Sequence, residues 1–320
     1  MRKYITRRLL LMIPVLIGIS IIIFSLINLA PGDPYSSMID PNFTAADKEN
    51  MLNAIGYYEP LPVKYVKWVS RAVQGDLGFS IRYKEPVVSV IMRSYGNTIF
   101  LTLISLSISV LIAVPLGVIS ATHKYSVFDY IVTVFSFIGL SIPVFFLAML
   151  MIKFLAFDLD LFPISGMQSI GSGYTGIRSF FDHLHHMVLP IAVLGLTNMA
   201  SLMRYTRSSM LEVITQDYIR TARAKGVKER VVIYRHALKN ALIPIVTVVC
   251  MSLGYMMSGA ILTETVFVWP GMGTLVYQAI LNRDYPLVTA STMLIAFFIL
   301  ASNLLADILY AFLDPRIKYN

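Results

Sequence analysis

Six stretches of this chain run for 17 to 26 residues without a lysine, arginine, aspartate or glutamate. They are Leu9–Ala30, Asn97–Thr122, Tyr130–Ile152, Met187–Met203, Ala241–Thr263 and Leu287–Ala306. A helix needs about 20 apolar residues to cross a hydrocarbon core of about 30 Å, and it satisfies all its backbone groups within one segment. Composition agrees. Of 320 residues, 57% are apolar and 14% charged, against about 25% charged in soluble domains. The expected fold is all-α and integral to a membrane, with six transmembrane helices.

The first stretch follows Arg7 and Arg8 as a signal peptide would. Its 22 uncharged residues exceed a usual signal core, no A-x-A site follows, and Pro31 suits no cleavage junction. It reads as a retained span. The net charge of +8 borders the apolar runs and builds no continuous basic face, so membrane topology explains it better than nucleic acid. The lone Cys250, inside an apolar run, excludes an internal disulfide framework and a cysteine-cluster metal site.

With the N-terminus cytoplasmic, the inside segments hold 16 basic and five acidic residues, and the outside segments 10 and 12, with Asp307 counted in the sixth span. That asymmetry favours both termini in the cytoplasm. The chain then divides into a cytoplasmic N-terminus with the first span (1–30), an external segment (31–96), a five-helix core (97–312) and a cytoplasmic tail (313–320). The external segment carries turn signals at Pro31-Gly-Asp-Pro34 and Pro60-Leu-Pro62 and is too poor in apolar residues to be a further span. Prolines 14, 115, 143, 190 and 244 inside the spans predict kinks or breaks.

The core contains a cytoplasmic loop, 204–240, with the most informative pattern. Residues 213–225 are good helix formers without proline or glycine, and Gly226 supplies a stop. A second helix follows, with Val227, Val231, Tyr234 and Leu238 on one face and Lys228, Arg235 and Lys239 on others. Such a helical hairpin suits docking into a cleft on a soluble partner. A basic loop against lipid headgroups fits the same charges.

Asp217-Tyr-Ile-Arg-Thr-Ala-Arg-Ala-Lys-Gly226, followed by Arg235-His-Ala-Leu-Lys-Asn-Ala-Leu-Ile-Pro244, resembles the coupling loop of ABC-importer permeases. Arg220, Thr221 and Ala222 stand where the general motif has E-A-A, and Gly226 stands at its glycine. The departure is the usual form of the dipeptide, oligopeptide and nickel branch, most like its B-type subunit. Further matches run nearly end to end: Leu29-Ala-Pro-Gly-Asp-Pro34, Gly75-Asp-Leu-Gly78, Gly139-Leu-Ser-Ile-Pro143, Leu262-Thr-Glu-Thr-Val-Phe267, Trp269-Pro-Gly-Met-Gly273, Arg283-Asp-Tyr-Pro286 and Leu313-Asp-Pro-Arg316.

The resemblance implies a type I ABC-importer permease fold and a subunit that is not itself an enzyme. Its partners would be a second permease, two ATP-binding cassette subunits and an external substrate-binding protein. The cargo would be oligopeptides or dipeptides, with nickel or a nickel chelate as the alternative. The chain has no G-x-x-x-x-G-K-[ST] loop, so it would bind no cofactor itself, and ATP and magnesium would act through the partner subunits. Arg220, Thr221, Ala222, Arg223, Ala224, Lys225 and Gly226 would form the ATPase-coupling element. Ser141, Tyr255, Met256 and Glu264 are candidates for pathway or gate, and Gly75, Asp76, Leu77 and Gly78 for contact with the binding protein.

Other constellations admit other readings. Ser141 and His186 together invite an intramembrane serine protease, which needs the two side chains within hydrogen-bond reach. The family's G-x-S-x-P explains Ser141 equally. Asp182, His183, His185 and His186 invite a metal, His183 and His186 sharing a helical face, or else a histidine-rich helix start; no metal site is assigned. Asp307 reads as a structural carboxylate near the cytoplasmic end of span six. Glu264 reads as an external gate residue or a surface carboxylate. Met251, Tyr255, Met256 and Met257 face either a pathway or lipid.

Overall fold

The computed structural model describes residues 2–29, 45–54 and 56–313. The Pro31–Pro34 turn, the Asp314-Pro-Arg316 motif and the rest of the tail lie outside these residues. Helix α1 is Arg2–Leu29, α2 Ala45–Ala54, α3 Leu61–Val73, α4 Val87–Thr122 and α5 Val127–Ser141. Then come α6 Val144–Met151 with a π-helical extension Ile152–Asp158, α7 Ile177–Ile214 and α8 Asp217–Ala224. One continuous rod follows, made of α9 Glu229–Val231, a π-helical turn Val232–Ala237 and α10 Leu238–Met257. The chain continues through α11 Ile261–Val266 and α12 Met272–Leu281 to α13 Tyr285–Leu313. Among the described residues the one β-type pairing is an isolated bridge, Phe79 to Pro86.

The centre of the bundle is α4 packed along α7. Small residues let the two backbones approach. A Cβ on Gly117 would lie 2.6 Å from the Thr206 Cβ, and Ser109 Oγ donates to the Gly195 carbonyl at 2.9 Å. Helix α10 lies against both and against α13. Helix α1 sits outside on α13, where Arg8 Nη1 meets Asp307 Oδ2 at 3.1 Å. Its upper half is covered by α3, through Ser20 Oγ with Tyr65 Oη at 2.7 Å and Phe24 against Tyr65 and Trp68. Each of the six apolar runs falls mainly in helix, and five of them overlap unbroken candidate spans, the run Ala241–Thr263 leaving its span at Met257.

Two expectations are corrected. The rods are longer than their charge-free cores. The second starts ten residues early, at Val87, and the fourth covers Ile177–Ile214, so α7 carries on through Arg204 and Arg207 into what reads as loop. Pro14, Pro115, Pro190 and Pro244 lie inside continuous helices, and only Pro143 coincides with a break. There Ile142 and Pro143 are extended (ψ 124° and 133°), and the two limbs of the third span bend by 103°. A proline disfavours helical geometry in the residue before it. The second arm of the hairpin is not separate either: it is the start of the α9–α10 rod.

Candidate functional site

At one end of the bundle, Gln216 breaks α7 from α8 and Gly226 ends α8. Gly226 is left-handed (φ +73°). Its N–H donates to the Arg223 carbonyl at 2.9 Å, and the Val227 N–H to the Ala222 carbonyl at 3.3 Å. This is a Schellman cap with its usual apolar residue, Val227, just beyond. Arg220, Thr221, Arg223, Ala224, Lys225 and Gly226 are exposed, and Ala222 is half-buried. Arg223 Nη2 meets Glu229 Oε1 at 2.7 Å across the turn, which raises the guanidinium above its ordinary range.

Ile219, fully buried, pins α8 to the bundle. It shares a buried apolar cluster with Val118 and Ala121 from α4, Met210 from α7, and Val232, Ala237 and Ala241 from the rod, whose π-helical turn α8 lies against. The buried face of that rod therefore differs from the expected one. Val231 and Tyr234 are exposed, Val227 and Leu238 are partly buried, and Val232 and Ala237 turn inward. A π-helical turn gives more residues per turn than the 3.6 that the sequence pattern assumes.

Just inside α8 lies an ion pair that the sequence pattern does not reveal. Asp129, in the first turn of α5, is 3% exposed at its side chain. Arg207 of α7 donates from Nε to Oδ1 at 2.6 Å and from Nη2 to Oδ2 at 2.9 Å. Ser120 Oγ donates to Oδ1 at 2.5 Å and the Tyr125 N–H to Oδ2 at 2.9 Å. The one sequence clue is Ser126-x-x-Asp129, a helix-start signature: Ser126 Oγ accepts from the Asp129 N–H at 3.2 Å.

At the opposite end Glu264 is buried, 1% exposed, which rules out a surface carboxylate. Thr98 Oγ1 donates to its Oε1 at 3.0 Å, and the Thr274 N–H to its Oε2 at 2.9 Å. Thr98 Oγ1 in turn accepts from the Met272 N–H at 2.8 Å, and Asn97 Nδ2 donates to the Pro270 carbonyl at 2.9 Å. The Trp269–Gly273 motif is thus a loop folded over Glu264 and stapled to the start of α4. Gly259 is equally crowded: a Cβ there would lie 2.2 Å from the Gly273 nitrogen.

Gly75–Gly78 forms a turn at this same end. Asp76 Oδ1 accepts from the Gly78 N–H at 2.9 Å, Leu77 packs into the apolar core, and Gly75 and Asp76 remain exposed. The following bridge is tied to α13 through Asp284, fully buried, which accepts from Ser80 Oγ and the Arg82 N–H. Met256 and Met257 face inward, against Asn198 and Tyr95, whereas Met251 and Tyr255 are exposed.

Ser141 is exposed at the end of α5, while His186 is buried with its Nδ1 against the Asp182 carbonyl at 2.8 Å. His183 likewise meets the Ser179 carbonyl and His185 the Leu161 carbonyl. Asp182 is occupied by Ser169, through both its N–H and Oγ. Among the described residues no three histidine, cysteine or carboxylate side chains converge as metal ligands.

A hairpin presented at one end of a six-run helical bundle is the arrangement the coupling-loop resemblance implies. Residues 113–319 match the family described as "binding-protein-dependent transport system inner membrane component", and residues 1–102 match that family's N-terminal model. The chain belongs to this family of transport permeases.

Its relatives match end to end. It is 44% identical to the oligopeptide transport system permease protein AppB of Bacillus subtilis, over all of both chains. It is 39% identical to the dipeptide permease DppB of Alkalihalophilus pseudofirmus, again over all of both. It is 36% identical to DppB of Escherichia coli K12, over 100% of this chain and 99% of that one. A chain of the MetNI methionine ABC transporter shares the fold, with a TM-score of 0.54 at 18% identity over 71% of this permease and 97% of that chain.

Proposed function

We propose that this permease is one membrane-spanning subunit of an ATP-driven importer for oligopeptides or dipeptides. The observation that carries the reading is the α8 hairpin, held at Ile219 and capped at Gly226, in a chain whose end-to-end relatives carry oligopeptide and dipeptide permease names. Those names favour peptide over nickel as cargo. The excess of basic residues at the α8 end supports a cytoplasmic location for that end and for both termini.

The subunit pairs with a second permease, and two ATPase subunits receive α8 of this chain and its counterpart. An external binding protein delivers peptide at the Trp269 end, where the exposed Gly75-Asp76 turn is available for contact. ATP and magnesium act in the ATPases. Closure of the ATPases moves α8, and the bundle responds by alternating access. The test is purification of the tagged chain from gently solubilised membranes, then reconstitution with its co-purifying proteins. ATP-dependent uptake of peptide is expected. Uptake of nickel alone would reverse the cargo, and a chain that reproducibly purifies without any ATPase would overturn the reading.

A further inference from the structure

We infer that Asp129 and Arg207 are positioning residues that pass movement of α8 to the bent third span; the inference rests on the importer reading above. Ile219 places α8 in one buried apolar cluster with Val118 and Ala121 at the end of α4 and Met210 on α7, α8 itself lying against the π-helical turn Val232–Ala237. Gly117 and Thr206 interlock α4 with α7 at the same level, beside the apolar cluster that holds Ile219. Helix α5 leaves α4 through the short turn 123–126 and packs on the α4–α7 pair through Val132, beside Ala113 and Met203, an apolar contact that by itself fixes no register.

The polar tie at this end is the Asp129 carboxylate. It takes two bonds from Arg207, one turn before Met210 on α7, and one from Ser120, next to Ala121 of the Ile219 cluster. Its fourth bond, from the Tyr125 N–H, holds a residue with φ +66°, a conformation a tyrosine rarely adopts unless its surroundings impose it. One side chain thus fixes the α4–α5 corner, the α7 rod and the start of α5 together. A bidentate guanidinium–carboxylate pair fixes orientation as well as distance. The expected role is to keep α5 in register with α8, so that the break at Ile142-Pro143 moves when α8 does.

The test uses the whole transporter in proteoliposomes with its binding protein, reading peptide uptake and ATP hydrolysis together. Asp129→Asn and Arg207→Gln are each expected to assemble with the ATPases and hydrolyse ATP, with uptake per ATP falling about tenfold or more. The double variant should be no worse than either single one, because both remove the same tie. Ser120→Ala, which leaves the ion pair intact, should fall less, and Arg207→Lys should recover only part of the loss. Wild-type uptake per ATP in the single variants would overturn the inference. So would uptake and hydrolysis declining in parallel with the amount of assembled complex, which would make the pair merely structural. Absence of ATP-driven uptake in the wild-type complex would instead overturn the importer reading, and this inference with it.

Discussion

A Cβ placed on Gly271 would lie 2.5 Å from the carboxyl carbon of Glu264. The glycine is therefore a requirement of packing, since its own backbone is extended (φ −102°, ψ −173°) and open to any residue. Gly271→Ala must displace a buried carboxylate from Thr98 and Thr274, and overpacking of this kind costs about 1–3 kcal/mol. The purified complex should melt several degrees lower. Gly18→Ala, in the middle of α1 with nothing within 4 Å of the added carbon, should melt at or slightly above the wild-type temperature.

Gly226 is the converse case. A Cβ there meets nothing within 4 Å, but φ is +73°. The cost of a side chain is conformational, about 1–2 kcal/mol for an ordinary residue and least for asparagine. Gly226→Val should leave membrane insertion intact and uncouple ATP hydrolysis from uptake, with Gly226→Asn retaining more transport. Normal uptake in the valine variant would remove this turn from the coupling mechanism.

Removing the anchor of α8 should loosen that helix before anything else. Ile219→Ala empties a fully buried socket, at about 2–5 kcal/mol for a change of this type. Hydrogen exchange over residues 216–227 should speed up sharply while α4 and α7 remain protected. Tyr218→Ala, at a half-exposed neighbour, should leave exchange in the socket nearly unchanged.

At the other end, Asp284 holds the bridge Phe79–Pro86 by accepting from Ser80 and from the Arg82 N–H. Asp284→Ala leaves the buried Ser80 hydroxyl without its acceptor, about 1–3 kcal/mol, and frees the Arg82 N–H to water. Brief trypsin treatment should then cut after Arg82 or Lys84, at sites that resist in the parent protein. Equal resistance would show that Leu77 and the core beneath it hold the segment unaided.

The apolar runs made the helical class and the number of runs legible, because a charge-free stretch of span length has few alternatives. Helix ends were not legible. Helices α4 and α7 continue past the hydrocarbon on residues such as Arg93, Arg204 and Arg207, where the apolar signal has stopped but backbone bonding has not. The inward face of the α9–α10 rod was misread because a π-helical turn shifts the register after Val231. Of the site, the exposed strip Arg220–Gly226 was recognisable by motif. The Asp129–Arg207 pair was not, since its partners are 78 residues apart and each reads as an ordinary boundary charge. Glu264 stands out in the sequence, but its burial depends on two glycines, Gly271 and Gly273, and on Thr98, which no local pattern connects to it.

The 38 residues of α7 make a rod of about 57 Å at about 1.5 Å per residue, nearly twice the thickness of the hydrocarbon. Near its start His183 lines the same cavity as Trp269, and its last turn is separated from α8 by two residues. A rod of that length pivoting at its midpoint behaves as a seesaw: about 10° of rotation carries each end roughly 5 Å, in opposite directions. Narrowing at one mouth and widening at the other would then be the two ends of a single rotation of this helix.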